Sequence, residues 1–483
     1  MDVDTPLHRQ IAMEASQQAM VLLKNEGGLL PLKESQTIAI IGPHLNSTEQ
    51  MLSIYYGGNV LAWHHSPFDA LYGRVGTKGK VVGYNFGCGA KTAPTPPPSP
   101  GPAPTGMPTV DPKEKGGYGD DDLTECNDDS AFAAAATLAK SADVAIVFVG
   151  LHPHELVRNN SADSREDEGK DRPYTKLPGM QSELIQAIHA SNPNTVVVMI
   201  HGGSMSIDWT AANVPAILDA HYPGELGGDA IASILYGDVS PGGRVTQTVY
   251  PAAWADTRPI SDMSLRGYAA DHNVGITYMH YTGTPLFAFG FGLSYTTFAF
   301  AWSSERATSS ATHASHATTT TAAMAALHKE HYTLSVEERA ARSPGYTVVV
   351  TNTGKVAAAT SVLAFVDSSA ALGGDVDAPA NGELFDFGRT PVLAPGASHT
   401  VILTIAPTVL SLVDVHGTER IAPGEYAVTI GVEGASEDSL EETDGLLHAK
   451  LSVSGEPIDV FSLAEAKARA NAKTHGLFGV NPY

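Results

Sequence analysis

The sequence predicts an α/β domain on a parallel sheet covered on both faces, followed by an all-β antiparallel sandwich of immunoglobulin-like type. Three observations predict it. Short continuous apolar runs at residues 37–42, 144–150, 195–200 and 216–220 alternate with helical stretches at 130–141, 180–191 and 228–235. Strands apolar at every position are those buried on both faces, and their alternation with helices indicates a parallel sheet. Later, residues 346–352, 361–367, 399–406 and 425–432 are β-rich, with the turn signals Asn352-Thr353-Gly354, Ala394-Pro395-Gly396 and Pro423-Gly424 between them and no helical stretch.

The elements follow in order. Residues 5–25 read as a helix with Leu7, Ile11, Ala15, Ala19 and Leu22 on one side, stopped by Glu26-Gly27-Gly28. This gives a linker helix over 1–34, then the α/β domain over 35–250. Within that domain, 91–112 is dense in proline, including Pro96-Pro97-Pro98, and reads as an extended surface insertion. A connecting segment covers 251–302. Residues 303–330 form a Ser/Thr/Ala-rich low-complexity linker, either O-glycosylated or plainly disordered. The all-β domain spans 331–455 and a tail 456–483, in which 462–473 reads as a short surface helix.

Composition excludes several functions. The 483 residues carry 29 Lys+Arg against 52 Asp+Glu, a formal net charge of −23, which repels nucleic-acid backbones and anionic membrane surfaces. With 43% hydrophobic and 17% charged residues, the chain is not a disordered acidic one. Its longest apolar runs fall short of the roughly 20 residues that span a bilayer. The start, Met1-Asp2-Val3-Asp4-Thr5-Pro6, shows no signal peptide. Two cysteines, Cys88 and Cys126, define neither a disulfide scaffold nor a metal spacing. Asn46-Ser47-Thr48 and Asn159-Asn160-Ser161 are glycosylation sequons of a kind that also arises by chance.

Nucleotide and hydrolase motifs are missing. Ile41-Gly42-Pro43 is followed by no Gly-x-x-Gly, there is no Gly-Lys-Ser/Thr loop, and Gly202-Gly203-Ser204-Met205-Ser206 is not a nucleophile elbow. His152 and His154 flank Pro153 and read as a metal pair or, more simply, as solvated or substrate-rim histidines. Tyr55, in Tyr55-Tyr56-Gly57, suits a sugar pocket or ordinary packing.

The informative stretch follows the run at 144–150. It crowds Glu166, Asp167, Glu168 and Asp171 with Arg165, Lys170 and Arg172. A solvated charge run has the same composition. Yet this loop leaves a strand carboxyl end, where α/β sheets place their chemistry. Crowded carboxylates repel, which raises one pKa and makes a general acid. Asp171 beside Arg172 can form an ion pair that fixes the loop.

At this point the chain resembles glycoside hydrolase family 3, in its β-xylosidase/α-L-arabinofuranosidase branch. The resemblance begins at Ala15-Ser16-Gln17-Gln18-Ala19-Met20-Val21-Leu22-Leu23-Lys24-Asn25 with Leu29-Leu30-Pro31-Leu32, similar to the family's linker leaving its first domain. It continues through Ala39-Ile40-Ile41-Gly42-Pro43, Tyr222-Pro223-Gly224-Glu225-Leu226-Gly227-Gly228, Ser240-Pro241-Gly242-Gly243-Arg244-Val245 and Phe289-Gly290-Phe291-Gly292-Leu293-Ser294-Tyr295. Glu166-x-Glu168-Gly169-x-Asp171-Arg172, with Thr277-Tyr278, resembles the xylosidase branch more than the β-glucosidase branch. Ile276 and Met279 depart from it, standing where the branch usually has arginines.

The resemblance implies the family's carboxyl-terminal α/β sandwich followed by a fibronectin III-like domain. It further implies retaining hydrolysis of xylo-oligosaccharides, with β-glucosidase as the alternative within the family. By matching position Glu166 is the acid/base, Glu168 the second choice, and Arg165, Asp171, Arg172 and Tyr55 contact substrate. No cofactor or metal is implied. The family carries its aspartate nucleophile on a (β/α)8 barrel of about 250 residues, for which this sequence shows no alternating pattern. A barrel domain is therefore the expected partner, and a non-catalytic carbohydrate-binding or structural remnant is the alternative. A nucleotide-binding reading rests on fold alone. Cys88 and Cys126 bracket the proline-rich insertion and are expected to pair. That pairing, the sequons and family habit suggest an extracellular parent enzyme.

Overall fold

Thr5 and Pro6 start the first helix by local chemistry. The Thr5 hydroxyl accepts the His8 N–H at 3.2 Å, and Pro6 sits where its missing N–H is not needed. The computed structural model describes residues 4–52, 65–76, 80–88, 126–153, 165–166, 172, 174–259, 261–267, 274–303, 311–312, 316–330, 343–369, 379–413, 417–431 and 446–462. These divide into two units, Met1–Asp262 with Thr284–Tyr295, and Met263–Gly283 with Thr296–Tyr483. The proline-rich insertion and the expected helix at 462–473 lie outside the described residues, the latter but for Ser462.

The first unit runs α1 (Pro6–Ala19), β1 (Val21–Asn25), β2 (Ile38–Ile41), α2 (Pro67–Val75), β3 (Val81–Asn85), α3 (Phe132–Lys140), β4 (Val144–Gly150), β5 (His152–Pro153), β6 (Arg165–Glu166), α4 (Gln181–Ser191), β7 (Thr195–Ile200), α5 (Asp208–Asn213), β8 (Ala216–Asp219), α6 (Gly227–Leu235) and α7 (Ala252–Ala255). Its main sheet has the order β1-β8-β7-β4-β2-β3. Every pair is parallel except β1 with β8. Residues of β2, β4, β7 and β8 are buried throughout, as their continuous apolar runs require.

Strand alternation splits these residues between two cores. Ile38, Ile40, Ile146, Phe148, Val198 and Leu218 join Phe68 and Leu71 of α2 and Ile231 and Leu235 of α6. Ala39, Ile41, Val147, Val149, Val197 and Ile217 join Ala135 of α3 and Leu184, Ile185 and Ile188 of α4. Ser66 caps α2 reciprocally with Asp69, each taking the other's backbone N–H at 3.1 Å.

The expected helix over 5–25 is shorter in the structure. It ends at Ala19, Met20 is extended, and β1 follows as the antiparallel edge of the sheet. The apolar spacing is shared between two elements: Leu22 is buried in the sheet, whereas Leu7 and Ile11 are 61% and 53% exposed. The edge strand β3, half-buried and interrupted by Gly83, has no continuous apolar run to announce it.

The second unit contains α8 (Thr277–His280), β9 (Phe298–Trp302), β10 (Ala311–Thr312), β11 (His316–Thr320), α9 (Thr321–Glu330), β12 (Gly345–Asn352), β13 (Ser361–Asp367), β14 (Glu383–Arg389), β15 (Ser398–Thr404), β16 (Ser411–Val413), β17 (Thr418–Ile421), β18 (Gly424–Ile430), β19 (Leu447–Ser454) and β20 (Ile458–Ser462). One sheet is β10-β12-β15 with β9 also on β12, and a second is β11-β19-β18-β13-β14. Tyr346, Val348 and Val350 of β12 alternate into the core, as do Tyr426, Val428 and Ile430 of β18. The Tyr426 hydroxyl donates to Ala422 O at 2.8 Å, four residues upstream, in the manner of the tyrosine corner of such sandwiches.

The segment expected as a low-complexity linker is partly structured. Strand β11 pairs in parallel with β19, and α9 buries Met324, Ala325 and Leu327. Its threonines suit a sheet edge by their branching at Cβ, and an available edge decides their conformation where composition does not.

Candidate functional site

The carboxyl ends of the parallel strands are the rim at which sheets of this kind place their chemistry. Two glycines let strands and loops close on one another there. Gly42 follows β2 with φ 113°, and Gly150 ends β4 with φ 149°; a Cβ on either would overlap a neighbouring carbonyl oxygen, of Phe148 and Ile200 respectively. Gln181, at the start of α4, accepts the Gly150 N–H at 2.8 Å and donates to Gly150 O at 3.1 Å. His44 Nε2 donates to Leu151 O at 3.0 Å. The exit of β4 is thus fixed from both sides.

From that exit, β5 begins after Leu151 and pairs in parallel with β6, matching His152 with Arg165 and Pro153 with Glu166. The backbone of Glu166 therefore lies beside the segment leaving β4. Glu168, Asp171 and Tyr55 lie outside the described residues. Arg172 donates to Ser204 O at 3.0 Å and Lys176 O at 3.3 Å, and approaches the Met205 sulfur at 3.6 Å. These contacts tie its loop to the segment after β7. Ser206 strengthens the tie, with its N–H on Thr175 O at 2.8 Å and its hydroxyl 2.7 Å from Thr175 Oγ1.

The next two strand ends bring together residues that the sequence did not single out. His201 follows β7, Asp219 ends β8 and His221 comes two residues later. His201 Nε2 is 3.1 Å and His221 Nδ1 3.3 Å from Asp219 Oδ1. His221 has φ 52°, and its N–H donates to Asp219 Oδ1 at 3.0 Å. Burial pushes the Asp219 carboxyl up, but His201 and His221 prevail and hold it below its ordinary value. Burial drives the His221 imidazole below its own, against the pull of Asp219. Among the described residues this trio has the donor set of a metal site. The available signal was positional: each residue stands at or just past a strand carboxyl end.

The profile of the Glycosyl hydrolase family 3 C-terminal domain matches residues 20–295, more than half of the chain. The chain belongs to glycosyl hydrolase family 3. A Fibronectin type III-like domain profile matches residues 364–433, so the family's α/β and all-β domains are both present. The family 3 chain is 30% identical over 440 residues to Beta-D-xylosidase 1 of Arabidopsis thaliana, covering 89% of this chain and 49% of that protein. It is 31% identical over 440 residues to Exo-1,4-beta-xylosidase xlnD of Aspergillus oryzae, covering 89% and 47%. The chain therefore spans about half the length of these curated relatives. Among solved structures, a GH3 exo-beta-xylosidase (XlnD) in complex with a xylobiose aziridine activity-based probe matches with TM-score 0.68 and 25% identity, covering 95% of this chain and 52% of that one. A Kluyveromyces marxianus beta-glucosidase shares the fold, with TM-score 0.65 at 20% identity, covering 94% and 63%.

Proposed function

We propose that this chain is the acid/base-bearing part of a retaining β-xylosidase that acts on xylo-oligosaccharides, completed by a barrel domain that carries the nucleophile. The observation that carries this reading is the match over 95% of the chain to an exo-beta-xylosidase structure. The similarity to β-xylosidases of Arabidopsis thaliana and Aspergillus oryzae supports it.

Retaining hydrolysis needs two carboxyl groups roughly 5–5.5 Å apart. In our reading Glu166 is the acid/base. It protonates the leaving glycosidic oxygen as the barrel aspartate attacks, and then takes a proton from the water that opens the glycosyl ester. The pairing of β5 with β6 at the exit of β4 supports this role by giving the Glu166 backbone a defined place, and Arg172 donates to Ser204 O just past β7. Glu168 is the competing candidate in the same loop. The Cys88–Cys126 disulfide supports an extracellular parent enzyme, since such bonds persist in oxidising compartments.

Joining this chain to the barrel half of a related β-xylosidase tests the reading. The joined protein should hydrolyse xylobiose and aryl β-xylosides faster than the matching glucosides, and should release xylose first as the β-anomer. Release of the α-anomer, or a preference for glucosides, would contradict it.

A further inference from the structure

We propose that His201, Asp219 and His221 bind a divalent transition-metal ion of the zinc class, held within the α/β domain and independent of the sugar chemistry. Two imidazoles and a carboxylate are the ligand types that zinc and its neighbours take, whereas calcium and magnesium favour all-oxygen sets. The spacing also fits. Zinc bonds to nitrogen and oxygen of about 2.0–2.2 Å place tetrahedral ligand atoms about 3.3–3.5 Å apart. Here the nitrogens lie 3.1 and 3.3 Å from Asp219 Oδ1, and all three ligand atoms are within 4.8 Å of one another.

The surroundings orient the ligands. His201 Nδ1 lies 2.7 Å from Gly203 O. A carbonyl only accepts, so Nδ1 carries the hydrogen and Nε2 is the ring nitrogen turned toward Asp219. Metal-bound histidines are commonly fixed in this way by a backbone carbonyl. His221 adopts a left-handed backbone, uncommon for a residue with a Cβ. This conformation accompanies the approach of both its N–H and its ring to the one carboxylate.

Burial supplies the driving force. The side chains of His201 and Asp219 are 2% and 6% exposed. A buried carboxylate is costly unless a cation or hydrogen bonds compensate it. The trio itself, with Leu23, Ile207, Val245, Phe287 and the half-buried Gln247, lines a void of ≈ 10 Å³, about the room that one water needs and far too little for a sugar. The site thus suits a structural ion with a water or the Gln247 amide oxygen as fourth ligand. Such an ion would link the ends of β7 and β8 to the turn that leads into α6. A proton shared between His201 and Asp219 is the rival occupant.

The experiment strips the untagged chain with EDTA, adds Co²⁺ or Zn²⁺, and measures metal content, the Co²⁺ visible spectrum and melting temperature. We expect one metal per chain, an intense tetrahedral Co²⁺ spectrum and a higher melting temperature. His221→Asn and His201→Gln should each weaken affinity more than about 100-fold, beyond the loss seen on removing an outer-shell partner. His399→Gln, on an exposed strand position, should leave it unchanged. A wild-type chain that holds no stoichiometric metal and shows only the weak octahedral Co²⁺ spectrum would overturn the proposal in favour of the shared proton. Wild-type affinity in folded His201→Gln and His221→Asn would overturn it as well. If a variant fails to fold, the wild-type spectrum still decides.

Discussion

Gln181 holds both backbone polar groups of Gly150, accepting its N–H at 2.8 Å and donating to its carbonyl at 3.1 Å. Gln181 is 2% exposed, so no water replaces it. Substitution Gln181→Leu keeps the bulk but strands two buried backbone groups. It should lower the unfolding free energy by about 2–3 kcal/mol, read from urea titration. In a barrel-completed enzyme it should also lower kcat, because the segment leading to Glu166 leaves β4 at Gly150, which Gln181 holds.

Gly42 is tested separately. With φ 113° and the Phe148 carbonyl where a Cβ would stand, Gly42→Ala meets both backbone strain and overlap. A loss of about 3 kcal/mol or more is expected. Gly396→Ala also meets a positive φ, but has open space, and should cost less. Equal losses for the two would show that overlap at the β2 exit is unimportant.

The Cys88–Cys126 bond closes a loop with a sequence separation of 38. Reduction, or the double substitution to serine, should cost about 3–4 kcal/mol through the freedom returned to the unfolded chain. Titration of the denatured, unreduced protein should find no free thiol, and two free thiols would contradict the bond.

His65 gives a pH signature. Burial, the largest influence, lowers its pKa, but the hydrogen bond and charge of Asp229 and the charge of Asp69 together raise it above the ordinary 6.5. A raised folded value means that the contribution is fully present below about pH 6.5 and is lost as pH rises through the folded value. The stability gap between wild type and His65→Gln should therefore be larger at about pH 5.5 than at about pH 8.5. A gap that grows with pH would contradict this pairing, in which His65 Nδ1 lies 3.2 Å from Asp229.

The fold was legible where burial on both faces forces continuous apolar runs, as in β4 and β7. It was less legible at the sheet's edges. Leu22 fits the helical spacing of Leu7 and Ile11 yet belongs to β1, and β3 is too exposed to show a pattern. The loop holding Glu166 was visible as crowded charge after a strand. The trio of His201, Asp219 and His221 was not, because His201 is distant in sequence from the other two and meets them only through the parallel register that sets Met199 against Asp219.

Azide rescue tests whether Glu166 is the acid/base of a β-xylosidase. In the barrel-completed protein, Glu166→Ala should abolish turnover of xylobiose, whose leaving group needs protonation, while sparing aryl xylosides with activated leaving groups. Azide should restore turnover of those aryl substrates and yield β-xylosyl azide. The same pattern in Glu168→Ala, with Glu166→Ala behaving as wild type, would contradict the assignment.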